Sequence, residues 1–402
     1  MFTATYQLQK GEQATDSDTS STNIQYSAFA TSTETLDVRN GVAMRRQVEA
    51  ILEEIAALPK VELHRHLDGG IRDQLLFDTA RRRNMKLPDA VTCADDLAAY
   101  TSAGETCQSL TEFLQTFIFF TPIVRGDRIA LRQMALDTCE DLASNNIIYA
   151  ELRYSPHLLA DDNLSASEVV ALICDAVREG SARFGIRATT ILCAMRHFPE
   201  WTSEVVDLAH QFRNNGVVGI DIAGDERHSC LPHRKEFARA KSLGLKITAH
   251  ASEAGPAHEI VNAVEHLHAE RIGHGYHCVH DEAVYKFVRD QRLHLECCVT
   301  SSLLTNAVLV PVDQHPVRLF SADGVSFSLS TDDPSVCRTT LNRELQVAAE
   351  HVGLSFDDIV RAMVNAAQAA FLPESDRQQL VDTITKHAAL AATRILSASP
   401  SS

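Results

Sequence analysis

The run VELHRHLD, Val61–Asp68, opens as an apolar, partly β-branched segment and ends in side chains capable of chemistry. A strand repeats its faces every two residues, so His64 and His66 fall on one face. Seven further runs follow the same plan: IIYAELRYSPH (147–157), ATTILCAMRH (188–197), VVGIDIAGDE (217–226), LKITAHASE (245–253), RIGHGYH (271–277), LHLECCVTSS (293–302) and VSFSLSTDDP (325–334). Stretches of helical periodicity lie between them, such as SASEVVALICDAVREGSARFG (165–185). Eight alternating strand and helix units predict an α/β chain closed into a (β/α)8 barrel, in which functional groups collect at the C-terminal ends of the strands. An open doubly wound sheet is disfavoured, because neither G-x-G-x-x-G nor G-x-x-x-x-G-K occurs.

Outward from these runs, the chain divides unevenly. Residues 1–40 are rich in Ser, Thr, Asp and Gln without periodicity, and are expected to form a flexible extension. A single domain is expected over 41–396, with a short flexible tail at 397–402. It should begin with a helix over VAMRRQVEAILEEIAAL (42–58), stopped by Pro59. Roughly 80 residues separate the first two strands, far more than one loop and one helix need. Extra helices are expected there and at the C-terminus. Within that connection Leu110, Phe113, Leu114 and Phe117 form an i, i+3, i+4, i+7 stripe, suited to capping the barrel mouth or to packing on its wall.

Of the 402 residues, 53 are Asp or Glu and 37 are Lys or Arg, a formal net charge of -16 that repels phosphate backbones and anionic membranes. Nucleic-acid and membrane partners are not expected. The ten cysteines include no C-x-x-C pair, and Cys174, Cys193 and Cys297 sit in apolar runs, as reduced buried thiols do. With no signal-peptide pattern at the start of this sequence and no apolar window of membrane-spanning length, the expectation is a cytoplasmic protein. The oligomeric state is left open.

The strand ends bring chemistry together. His64 and His66 close the first strand, His250 the fifth, and Asp332 the eighth. Three imidazoles and one carboxylate converging on one mouth suit a zinc ion with a position left for water, whose pKa the ion would lower. Glu253, three residues beyond His250, could face that water or a substrate, or could serve as a first-turn carboxylate of a helix. His274 stands between Gly273 and Gly275, which permit close backbone approach. Asp333 follows Asp332 directly, so in extended geometry the two carboxylates should point in opposite directions.

VELHRHLDGGI, ELRYSPHLL, DIAGDE, HASEAG, RIGHGYH and STDDP, in this order and at strand ends, resemble the adenosine deaminases of the amidohydrolase superfamily. The resemblance runs from about Pro59 to the C-terminal helices. It implies one zinc ion per chain on His64, His66, His250 and Asp332, with His66 also bordering the substrate. Glu253 would protonate N1 of the purine and His274 would orient or deprotonate the zinc's water. Asp333 would meet the N7 region, the Gly224 N–H would meet N3, and Asp68 would accept from the ribose 5′-hydroxyl. The implied reaction is hydrolytic deamination of adenosine and 2′-deoxyadenosine to inosine and 2′-deoxyinosine plus ammonia, a step of purine nucleoside breakdown. Two positions depart from the family's pattern. Ser252 in HASE stands where Gly is usual, and Gly70 in HLDGG where Ala or Ser is more common. The alternatives are a related amidohydrolase acting on adenine, an N6-methylated nucleotide or a cyclic amide, and a nucleoside-binding protein on an inactive scaffold. The fourth strand end has no lysine to bridge two metals.

Overall fold

The computed structural model describes residues 38–104 and 106–398. Its contacts divide the chain into Met1–Val42 and Ala43–Ser402, and the larger unit holds the whole barrel. The opening helix spans Val38–Ala57 and the last helix Glu374–Ala398. The rest of the proposed extension, and residues 399–402 of the tail, lie outside the described residues.

All eight expected strands form: β1 Lys60–His66, β2 Ile147–Tyr154, β3 Arg187–Met195, β4 Val217–Ala223, β5 Lys246–Ala251, β6 Arg271–His274, β7 His294–Cys297 and β8 Phe327–Leu329. They pair in parallel in chain order. The ring closes through backbone bonds between β1 and the segment after β8, His66 N–H to Asp332 O at 2.7 Å and Asp332 N–H to His64 O at 3.0 Å. This is a (β/α)8 barrel. Its closure sets Asp332 directly against the two histidines of β1.

The connection between β1 and β2 carries helices Asp73–Arg82, Ala98–Thr101, Leu110–Val124 and Arg128–Ser144. Ser109 caps the third of these, accepting from Glu112 N–H. Thr111 Oγ1 donates to Asp225 Oδ2 at 2.9 Å, and Asn306 Nδ2 donates to Cys107 O. The start of this helix and the turn before it are therefore tied to the loops after β4 and β7, across the C-terminal ends of the strands. Phe113 enters the core, whereas Leu114 and Phe117 stay half-buried.

The interior departs from the branched aliphatic filling usual in such barrels. Glu151, Arg153, Asp221, Arg271 and Glu296 are all at most 2% exposed and form ion pairs with one another. Arg271 donates to Glu296 Oε1 at 2.7 Å and to Glu151 Oε2 at 2.6 Å, while Phe371 N–H donates to Glu151 Oε1. The Phe371 ring lies 3.6 Å from the Arg271 guanidinium carbon. The end opposite the functional mouth is thus plugged by the ion pairs of Arg271 with Glu151 and Glu296 and by one aromatic ring.

Candidate active site

Four donor atoms meet at the mouth. His64, His66, His250 and Asp332 each offer one ligand atom, and all lie within 4.8 Å of one another. His66 Nε2 and His250 Nε2 are 3.1 Å apart. Asp332 Oδ1 lies 3.2 Å from His64 Nε2 and 3.4 Å from His66 Nε2. The donor set tests well for a dication. His64 Nδ1 bonds Glu296 Oε2 at 2.7 Å, which places the proton on that side and leaves a buried Nε2 with no hydrogen-bond partner. His250 Nδ1 lies 2.9 Å from Asp221 Oδ2, which orients its Nε2 in the same way. Unprotonated Nε2 atoms crowded around a carboxylate are a costly arrangement unless a cation takes their lone pairs.

Arg153 holds both orienting carboxylates, donating to Asp221 Oδ2 at 2.9 Å and to Glu296 Oε2 at 2.7 Å. Asp221, Glu296 and Arg153 were not among the residues singled out from the sequence. The signal was there: a charged residue at an alternate position of a run that otherwise reads as buried, as in IDIA, HLEC and ELRY.

Glu253 and His274 stand beside the ligand cluster, with His274 Nε2 3.6 Å from Glu253 Oε2 and 3.9 Å from Asp332 Oδ2. Burial, reinforced by the charges of Asp332 and Glu226, pushes the Glu253 carboxyl well above the usual range, so it holds its proton. Burial pushes His274 well below the usual imidazole range, so the ring is neutral. An acid that keeps its proton beside a base that lacks one is the pairing proton transfer needs. Thr305 Oγ1 donates to Glu253 Oε1 at 3.3 Å, and Glu226 Oε2 accepts from the N–H groups of Ala254 and Gly255, fixing the loop that carries Glu253.

The expectation for Asp332 and Asp333 is corrected. Asp332 has φ +61°, so the two residues do not continue the strand and the alternation of extended backbone does not apply to them. Asp333 faces the same site: burial and the nearby charges of Asp332, Asp68 and Glu253 push its carboxyl well above the usual range. Its Oδ1 lies over the Gly69 backbone, where a Cβ would stand 1.7 Å from that oxygen. Asp332, not Asp333, belongs to the ligand cluster. Asp68 is buried, with burial pushing it up to about 7 against the pull of the Asp68 and Gly69 N–H groups. Gly224 has φ +101° and borders Met195 and His197. All residues expected at the site from the sequence are therefore at the C-terminal end of the barrel. Among the described residues no helix is long and apolar enough to cross a membrane, and all ten cysteines are free.

Comparison with known proteins agrees with this geometry. The family model described as Adenosine deaminase matches residues 59–387. A Xenopus laevis protein named adenosine deaminase is 40% identical over 338 residues, covering 80% of this chain and 94% of that one. The Arabidopsis N6-mAMP deaminase structure has a TM-score of 0.72 at 27% identity, over 83% of this chain and 99% of its own. An amidohydrolase from Burkholderia ambifaria, solved with bound Zn, shares the fold with a TM-score of 0.78 at 24% identity, over 87% and 95% of the two chains.

Proposed function

The chain belongs to the adenosine deaminase family, whose members are hydrolytic deaminases, and from that premise we propose that it deaminates adenosine and 2′-deoxyadenosine at C6, releasing ammonia and the inosine nucleosides. The observation that carries the reading is the buried Glu253 carboxyl set 3.6 Å from His274 Nε2, next to the four-ligand cluster. One zinc ion per chain would be held by His64, His66, His250 and Asp332. Zinc in such a site supplies a water that is nucleophilic near neutral pH.

The protein's own groups do the rest. Glu253 gives its proton to N1 and so stabilises charge arriving on the ring. His274 orients the water and takes its proton. Asp333, kept protonated by burial and its neighbours, donates to N7, while the Gly224 N–H serves N3. Asp68 accepts from the ribose 5′-hydroxyl, and His66 borders the substrate as well as the ion. A small nucleoside is then the partner, and a soluble cytoplasmic enzyme suits it.

A 5′-phosphate would bring a dianion against Asp68 in a partly dehydrated site, where repulsion exceeds its value in water. This weighs against the N6-methyl-AMP chemistry of the Arabidopsis neighbour. The test is a panel of adenosine, deoxyadenosine, adenine, AMP and N6-methyl-AMP with product identification. Rapid loss of the nucleosides with little turnover of the nucleotides is expected. Asp68→Asn should lower adenosine turnover modestly and weaken discrimination against AMP, with zinc content unchanged. Efficient use of AMP or N6-methyl-AMP by the unaltered protein would overturn both the role of Asp68 and the nucleoside assignment.

A further inference from the structure

His277, on the short 3₁₀ helix Tyr276–His280 after β6, touches both chain segments that meet Glu253. Its backbone N–H donates to Ser252 O at 3.1 Å, and its ring Nδ1 lies 2.7 Å from Gly255 O. One residue therefore grips the chain on either side of Glu253. The other ring nitrogen, Nε2, lies 2.8 Å from Ala307 O, two residues beyond the Thr305 whose hydroxyl donates to Glu253 Oε1. A carbonyl oxygen only accepts, so the two ring contacts stand together only if each nitrogen carries a proton.

We propose that His277 is a positioning residue for Glu253: with a proton on each ring nitrogen, it braces the loop after β5 against the segment Thr305 to Ala307.

The backbone around Glu253 explains why a brace is needed. Residues 252–255 belong to neither helix nor strand, so no ladder of backbone bonds fixes the loop. Glu226 accepts from the N–H groups of Ala254 and Gly255, and His277 supplies the complementary donor to Gly255 O. Gly255 is then held at both of its polar groups, two residues from the acid. Proton transfer requires hydrogen-bond reach, and a misplacement of about 1 Å costs on the order of 10²-fold in rate. That consequence for rate rests on the role proposed for Glu253 above, whereas the brace itself does not.

The experiment separates the two ring contacts. An asparagine amide nitrogen stands close to the place of Nδ1 and a glutamine amide nitrogen close to that of Nε2. His277→Asn thus keeps a donor for Gly255 O, and His277→Gln keeps one for Ala307 O. For His277→Ala, kcat should fall by about 10 to 10²-fold while KM stays within a few-fold and one zinc per chain is retained, because the proton of Glu253 is given only in the transition state. His277→Asn should recover most of that loss and His277→Gln less, an order that a general loss of stability would not produce. In the unaltered protein, ring ¹⁵N chemical shifts should report a proton on both nitrogens of His277. Unchanged kcat in the Ala and Gln variants, a Gln variant faster than the Asn variant, a loss confined to KM, or a ring with one bare nitrogen would each overturn the proposal. Should His277→Ala fail to fold, the Asn and Gln pair and the ¹⁵N shifts decide. Failure of the unaltered protein to deaminate any substrate would remove the proposed function instead, and the ¹⁵N shifts would still decide whether the brace exists.

Discussion

Arg153, in the barrel interior, meets Asp221 and Glu296 at 2.9 and 2.7 Å, and Arg271 meets Glu296 and Glu151 at 2.7 and 2.6 Å. One layer higher, at the mouth, Glu253, Asp333 and Asp68 are also buried but form no ion pair with an arginine, and burial pushes all three carboxyls up. Three of the nine non-glycine residues with left-handed backbone among the described residues, Ser252, His274 and Asp332, also lie at the mouth. Burial alone therefore does not mark function in this barrel. Buried charge that is fully paired holds geometry, and buried charge left unpaired is poised to bind or transfer something.

The most severe break of this contrast comes from the boundary between the two layers. His250→Ala removes one of four ligands and strips Asp221 of a partner. Bound zinc and activity should vanish together, as metal analysis beside a turnover assay would read. Full zinc occupancy with normal turnover would remove His250 from the ligand set.

Next in size is a change confined to the unpaired layer. Glu253→Gln keeps shape and the contact with Thr305 but cannot donate a proton as the acid does. Zinc should stay, and kcat should drop by about 10² to 10⁴-fold, the range positioned proton transfer typically contributes. The raised pKa also fixes a sign: only the protonated form donates, so activity carried by Glu253 falls as pH rises through its folded-state pKa. Wild-type turnover in the variant would show that another group protonates N1.

How much of this was legible in the sequence follows the same division. The eight strands were readable because each is a short apolar run closed by polar residues, and the ligand set because period two places His64 and His66 together. The orienting pair Asp221 and Glu296 was not read, because a single carboxylate inside an apolar run declares neither its partner nor its depth. Their partner Arg153 is 68 and 143 residues distant in the chain. The backbone turn at Asp332 was missed for a different reason. Extended backbone was assumed where Asp332 has φ +61°, and nothing local in STDDP announces a left-handed aspartate.

Arg153→Met probes the paired layer itself. It leaves two buried carboxylates without their shared cation, a loss of about 3–5 kcal/mol for breaking such a pair. It also frees the groups that orient His64 and His250, so zinc affinity should weaken by about 10 to 100-fold. Thermal unfolding and a competitive chelator titration measure the two effects separately. Unchanged zinc affinity would reduce Arg153 to a structural role.

The smallest effect is expected at Ser252, and its direction is the informative part. Its backbone sits at φ +62°, a conformation that costs a residue bearing a Cβ roughly 1–2 kcal/mol. Its hydroxyl is fully buried with no hydrogen-bond partner, which costs about 1–3 kcal/mol more. Ser252→Gly removes both penalties and adds the entropy cost of glycine, about 0.5–1 kcal/mol. The balance favours the variant by about 1–4.5 kcal/mol, so its melting temperature should rise by at least a few degrees at about 2–4 °C per kcal/mol. Ser252→Ala separates the two terms, because it deletes the hydroxyl and keeps the Cβ; it should recover only the hydroxyl's share. Zinc content and kcat should change a few-fold at most in either variant, since His250 and Glu253 keep their own contacts. A lower melting temperature in both variants would mean that the hydroxyl has a bound water or another partner, and that Ser252 belongs with the paired groups of the interior.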